Sequence, residues 1–340
     1  MVKSTEIRLK SRPTGYPTMD NFEIASAELP EVKEGQILVQ NLYMSVDPYM
    51  RGRMNNQESY IEPFKIGEPL NGDAVGVVVK SKNSDIKEGD YVTSLLGFRE
   101  YFILDQSNFK PAGLEVIKPN KDIDLSAYLS VLGMPGFTAY VGLFEIGALQ
   151  EGEDVFVSAA AGAVGSTACQ IAKIKNCYVV GTAGSNEKVD WLINEAKIDN
   201  AFNYKEVSNY NSKLRELFNN GIDVYYENVG GKLLEAALNN MDTYGRMVMC
   251  GLISQYNNTK PEPGPYNLFK IIEKRISMRG FIVFDHIKLK PQFRKDMQEW
   301  IKAGRIKWKQ TVYEGINKAP QALIDLFYGK NFGKMVVKLA

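Results

Sequence analysis

The segment Ala160-Ala161-Gly162-Ala163-Val164-Gly165 holds the plainest chemistry in this sequence. It is a GxGxxG variant with alanine in the first place. The apolar run DVFVSAAA (154–161) precedes it, and Val164, Ala168, Ile171 and Ala172 follow at helical spacing. Glycine at 162 lets a pyrophosphate approach the backbone, and glycine at 165 lets a helix sit close to its strand. The helix N-terminus then offers N–H donors and a partial positive charge. A bare tight turn is the plain alternative, but the strand before it and the helix after it are what a dinucleotide fingerprint needs.

An NAD site would call for a carboxylate about 20 positions further on, at the end of the next strand. That strand, YVVGTAG (178–184), runs into Ser185-Asn186 with no acid to hold a ribose hydroxyl. Lys188 stands instead in the first turn of a helix that Ser185 can cap. A helix N-terminus disfavours a cation, and a 2′-phosphate would explain one there. The expected cofactor is therefore NADPH, with a solvated surface lysine as the alternative reading of Lys188.

Tyr204 and Asn228 end the third and fourth strands of the alternation, where ligands of such sheets bind. Tyr204 also reads as a half-buried packing residue, and Asn228 as a turn former before Val229-Gly230-Gly231. The run Cys250-Gly251-Leu252-Ile253-Ser254-Gln255-Tyr256 leaves a fifth strand for the loop PEPGPYN. Tyr256 can donate a hydrogen bond to a developing enolate or pass it a proton; otherwise it is an exposed loop aromatic. Cys250 reads as a small core residue beside the cofactor rather than a nucleophile. Cys169 and Cys177 receive no role. Earlier in the chain, Tyr49 and Arg51 lie in VDPYMRG (46–52), with Tyr60 and Phe64 soon after. With Met134, Phe281 and Phe284 they form a candidate wall for a substrate, though each also suits a core. His286 is the one histidine, so Ser/His/Asp chemistry and a common zinc site are both disfavoured.

The elements that must position these residues fall into two kinds. Up to about residue 125 the chain is β-rich, with QILVQNLYMSVD, GDAVGVVVKSK and DYVTSLLGFREYFIL punctuated by Gly, Pro, Asn and Asp. From about 126 to 304, strand and helix patterns alternate, which predicts a parallel, doubly wound Rossmann sheet. KQTVYEGI, APQALIDLFYG and GKMVVKL then read as strand, helix and strand, and return from about 305–340 to the first domain. The fold class is α/β: a doubly wound sheet plus a second, β-rich domain. With 340 residues and 44% hydrophobic content, both can hold a real core. Forty-one basic against 40 acidic residues give a net charge of +1, which predicts no nucleic-acid partner and no membrane surface. Three cysteines without a CxxC pair, and a charged N-terminus MVKSTEIRLK, suit a reducing, cytoplasmic home.

Taken in order, VDPYMRGRM (46–54), GDYV (89–92), GMPGFTAYVGL (133–143), AAAGAVGS (159–166), GTAGSNEKVDWL (181–192), NYK (203–205), YYENVGG (225–231), CGLISQY (250–256), RGFIV (279–283) and NFGKMVVK (331–338) span nearly the whole chain. With them the sequence resembles the zinc-independent medium-chain dehydrogenase/reductase superfamily. Within it the likeness is to the alkenal/one oxidoreductase group of prostaglandin reductases, curcumin reductases and plant double-bond reductases. The resemblance implies a GroES-like catalytic domain, a Rossmann domain and a homodimer. It implies NADPH contacts from Gly162, Ala163, Val164, Gly165, Lys188, Tyr204 and Asn228, from Cys250, Gly251, Ile253, Ser254 and Tyr256, from Phe281, Ile282 and Val283, and from Asn331. Zinc-dependent members carry a cysteine near position 46 and a histidine after Gly72. Here Val46 and Asp73 stand in those places and the four-cysteine lobe is missing, so no metal is expected. The activity implied is NADPH-dependent reduction of the C=C bond of enones. A quinone reductase and a non-catalytic NADPH-binding protein are the rivals.

Overall fold

β-Branched and aromatic runs open the chain as strands, and the computed structural model describes residues 1–119 and 123–340. In its first part lie β1 (Val2–Leu9), β2 (Phe22–Leu29), β3 (Gln36–Ser45), the one-turn helix α1 (Met50–Arg53), β4 (Ala74–Ser81), β5 (Tyr91–Ser94), β6 (Tyr101–Asp105) and β7 (Glu115–Ile117). The stretch DYVTSLLGFREYFIL, one block by composition, is divided here between β5 and β6. β1 and β2, to which the sequence patterns do not point, form an antiparallel pair.

α2 (Met134–Val141) and a π-helical turn at Gly142–Ile146 open the second part. Six strands follow, with a helix in each connection: β8 (Asp154–Val157), α3 (Ala163–Ile174), β9 (Tyr178–Ala183), α4 (Asn186–Asn194), β10 (Asn200–Asn203), α5 (Tyr210–Leu217), β11 (Ile222–Glu227), α6 (Gly231–Asn240), β12 (Met241–Met249), α7 (Phe269–Lys274) and β13 (Ser277–Gly280). α8 (Lys290–Lys302) closes this part. β14 (Gln310–Glu314), α9 (Ala319–Phe327) and β15 (Lys334–Lys338) complete the chain.

Two compact units result, residues 1–129 with 310–340, and residues 130–309. In the first, β14-β15-β3-β4-β5-β7 form a seven-stranded sheet with β6 on β3. It is antiparallel except for the parallel β14–β15 pair. The return of β15 to β3 is fixed by a buried ion pair. Lys334, 1% exposed, donates from Nζ to the Val46 carbonyl at 2.8 Å and to Asp47 Oδ1 at 2.6 Å. Removing one partner of such a pair typically costs about 3–5 kcal/mol. This anchors the segment that carries Tyr49.

In the second unit all six strands are parallel in the order β10-β9-β8-β11-β12-β13, the doubly wound Rossmann arrangement. Strands buried on both faces explain runs such as DVFV and YVVGTA. Phe156 on β8 stacks on Tyr225 of β11 at 4.9 Å between centroids, over a core that includes Val180, Phe202 and Leu214. The order reverses between β8 and β11, and that is the switch point where ligands of such sheets bind. β13 stops at Gly280, and Val283 begins a 3-10 turn, so Phe281 and Ile282 lie in the connection between them. Among the described residues no helix is long and apolar enough to cross a membrane.

Candidate functional site

At the carboxyl end of β8 the chain turns through Ser158–Ala161 into α3. Gly162 is the N-cap and brings no side chain to the helix end, and no acid occupies the first turn. A side-chain carbon on Gly165 would lie 2.4 Å from the Ala159 carbonyl oxygen, so only glycine lets α3 start this close to the strand. The first-turn N–H groups, including those of Ala163 and Val164, therefore stand open at a bare helix end, as a pyrophosphate requires.

β9 and β10 run side by side, with Asn203 paired to Ala183. Beyond β9, Ser185 caps α4, its Oγ accepting the Lys188 N–H at 3.4 Å. The Tyr204 ring lies against Gly184, 3.2 Å from where a side-chain carbon would sit. Lys205 Nζ is 6.0 Å from the centre of that ring. Lys188 is half-buried; burial, and then the charge of Lys205, push its pKa below the ordinary lysine value, while Glu187 pulls it back in part. Two cations that repel each other at neighbouring strand ends suit a dianionic phosphate. Lys205 lies in the 3-10 turn Tyr204–Glu206, and nothing but the NYK context marks it in the sequence.

Three strand ends meet around Asn228. Its N–H donates to Ser158 Oγ at 2.7 Å and its Nδ2 donates to the Ser158 carbonyl at 2.8 Å. Its own carbonyl accepts the Ile253 N–H at 3.1 Å, and Val229 takes that of Ser254 at 3.0 Å. Ile253–Gln255 is a 3-10 turn that brings Tyr256 back, so that its hydroxyl accepts the Leu252 N–H at 3.4 Å, over Gly251. Burial pushes the Cys250 thiol up to about 12, with Tyr226 lowering it and Glu227 raising it further. It is therefore uncharged at neutral pH and not an activated nucleophile. Phe281 and Ile282 are half-buried, Val283 is buried and Phe284 is 51% exposed. Met134 begins α2 and is half-buried.

Within the β-rich unit, Tyr49 packs against a core that holds Met50, Phe64 and Phe98. Its hydroxyl is desolvated, which together with Asp73 and Asp47 lifts its pKa well above the phenol value, while Arg53 acts the other way. Arg53 is the partner that sequence reasoning missed. It is buried over the Phe64 ring at 4.0 Å, and its Nε donates to the Glu62 carbonyl at 2.9 Å. Arg51 has a structural setting of its own. It is 3% exposed and holds the N-terminal loop, donating to the Gly15 carbonyl at 2.9 Å and to Asn55 Oδ1 at 2.7 Å. Tyr60 is 61% exposed. Asn331 Nδ2 donates to the Gly333 carbonyl at 2.9 Å.

The residues do not fit a zinc ion. Among the described residues no group of three or more His, Cys, Asp or Glu is placed to hold a metal. Val46, in the place of the cysteine ligand, is 1% exposed among core side chains.

Residues 5–112 match a family model described as the N-terminal domain of oxidoreductase, and residues 163–303 one described as zinc-binding dehydrogenase. The chain is 46% identical to the 2-alkenal reductase (NADP(+)-dependent) of Nicotiana tabacum, over 100% of this chain and 98% of that one. It is 41% identical to prostaglandin reductase 1 of Rattus norvegicus, over 99% and 100%. Among solved structures, CurA from Vibrio vulnificus in complex with NADPH matches with a TM-score of 0.92 and 39% identity, over 99% of both chains.

Proposed function

The chain belongs to the zinc-independent medium-chain dehydrogenase/reductase family, and from that premise we propose that it is an NADPH-dependent reductase of the C=C bond of α,β-unsaturated aldehydes and ketones. The observation that carries this reading is the Tyr256 hydroxyl folded back over Gly251 at the end of β12. When bound, NADPH supplies the hydride that adds to the β-carbon of the enone. The chain's own part is to receive the charge that gathers on the carbonyl oxygen. The Tyr256 hydroxyl donates a hydrogen bond to that oxygen, a fixed donor aimed where charge develops. The α-carbon takes its proton from solvent or from Tyr256.

Binding is divided among the remaining residues. Gly162, Ala163, Val164 and Gly165 hold the pyrophosphate, and Lys188, Lys205 and Tyr204 hold the phosphate-bearing ribose. Asn228, the Cys250–Tyr256 segment, Phe281–Val283 and Asn331 complete the cofactor site. For the enone, the candidate contacts are Tyr49, Arg51 and Tyr60 in the β-rich unit and Met134 and Phe284 in the Rossmann unit.

The test is consumption of NADPH, followed by loss of its reduced-nicotinamide absorbance, with an enone, a quinone or neither. Turnover of the enone is expected. Turnover of the quinone alone would make the chain a quinone reductase, and tight NADPH binding with neither would make it a non-catalytic binding protein.

A homodimer completes the proposal. β13 is an outer strand of its sheet, and all four of its residues are exposed. A bare edge of this kind is a template for another strand, and a two-fold axis pairs it with its own copy. The three cysteines are free thiols, which supports a reducing compartment such as the cytoplasm.

A further inference from the structure

Glu227 ends β11 with 0% of its surface exposed. Its Oε1 accepts the Ser158 hydroxyl at 2.7 Å and the Val229 N–H at 2.6 Å. Its Oε2 makes no hydrogen bond of ordinary geometry, nor does the hydroxyl of Tyr225, which is equally buried and interacts with the carboxyl. Burial raises the carboxyl's pKa, and hydrogen bonds from Val229 and Ser158 draw it back in part. A dry carboxyl group is a poor core filler, because its polar atoms must be satisfied where they stand. Its surroundings give it a use. Ser158 Oγ, which donates to Glu227, accepts the Asn228 N–H. The Glu227 carbonyl accepts the N–H groups of Cys250 and Gly251 at 3.0 and 3.1 Å. One residue thus joins the carboxyl ends of β8, β11 and β12, three neighbouring strands.

We propose that Glu227 is a positioning residue, which acts through the Ser158 hydroxyl and Asn228 to hold the cofactor-facing strand ends in register. It touches neither cofactor nor substrate. This rests on the reading of that sheet end as the NADPH site.

The experiment measures the NADPH dissociation constant, kcat and melting temperature of the 340-residue protein and five variants. Glu227→Gln keeps an Oε1 acceptor and is expected to stay within about threefold of wild type in affinity. Glu227→Leu removes the acceptor and is expected to weaken NADPH binding about tenfold or more, the fold-change of one lost charge-assisted hydrogen bond. Ser158→Ala breaks the same link with little change of volume, so the test survives if the leucine variant fails to fold. Asn228→Ala is expected to weaken binding by itself. Adding it to Ser158→Ala should weaken binding by less than the product of the two single effects, because both act on one contact. A residue that only fills the core would lower the melting temperature and leave the NADPH constants multiplicative. Wild-type affinity in both Glu227→Leu and Ser158→Ala, or multiplicative effects in the double variant, overturns the inference alone. Failure of the wild-type protein to bind NADPH overturns the reading of the site along with it.

Discussion

The Tyr256 hydroxyl lies 3.1 Å from the point where a side-chain carbon on Gly251 would begin. The two residues are five apart in sequence, and the 3-10 turn at Ile253–Gln255 folds one back over the other. Gly251 therefore leaves the space that the phenol tip occupies. In Gly251→Ala the tip must give by a few tenths of an ångström, and under the proposed mechanism that displaces the donor to the enolate. A fall in kcat of roughly three- to tenfold is expected. In a Tyr256→Phe background the same change should do little more, since no hydroxyl remains to be moved. Steady-state kinetics of the two single variants and the double variant check this.

Tyr256→Phe alone should lower kcat and kcat/KM together, because its hydrogen bond strengthens as charge builds on the carbonyl oxygen. Loss of one such donor is expected to cost about 2–4 kcal/mol in the barrier. The hydroxyl's contact with the Leu252 N–H is long, at 3.4 Å. A raised KM with unchanged kcat would show a residue that only lines the pocket.

Lys188→Ala should weaken NADPH binding by roughly 1–3 kcal/mol, the scale of a charge-assisted hydrogen bond, and leave NADH almost untouched. Lys205→Ala should do the same more weakly, as its ammonium is the more exposed of the two. The pH dependence follows from the depressed pKa of Lys188. A lowered lysine pKa means that the charged form is lost earlier as pH rises. NADPH affinity should therefore decline on the alkaline side before an ordinary lysine titrates, while NADH affinity stays level. Titration calorimetry at a series of pH values, on wild type and both variants, checks the slope and its removal by Lys188→Ala.

Much of the doubly wound unit was legible because its signals are local. Gly162 and Gly165 mark a turn that only certain residues can make, and strands buried on both faces read as apolar runs. The residues that were missed depend on partners far along the chain. Glu227 reads as an ordinary acid until β11 buries it against Ser158, 69 positions away. Arg53 became visible only once the fold laid it over Phe64, and nothing in VDPYMRG shows that the Gly15 carbonyl will accept from Arg51. β1 and β2 went unmarked for a similar reason: their register across the pair from Val2↔Leu29 to Leu9↔Phe22 is a tertiary property, not a periodicity.

The exposed edge at β13 gives the last prediction. Met278 there is 36% exposed, and on the neighbouring helix α7 Phe269 and Ile272 are 69% and 71% exposed. An open strand edge and exposed apolar side chains are features that the proposed dimer would use. The strand itself is short and carries Arg279 beside Met278. If two copies join edge to edge about a two-fold axis, each residue of one strand lies close to its counterpart's neighbours in the other. Met278→Lys then brings two new ammonium groups near two arginines, and like charges facing across paired strands destabilise the pairing. Light scattering should give wild type a mass near twice 38.2 kDa. The variant should dissociate at protein concentrations about tenfold higher or more, a change of roughly 1.4 kcal/mol or more. NADPH affinity measured on the dissociated variant should stay near that of wild type, since every residue assigned to the cradle from Gly162 to Tyr256 lies outside the strand. A wild-type mass of one chain at micromolar concentration would remove the dimer from the proposal and leave the apolar edge to be explained by another partner.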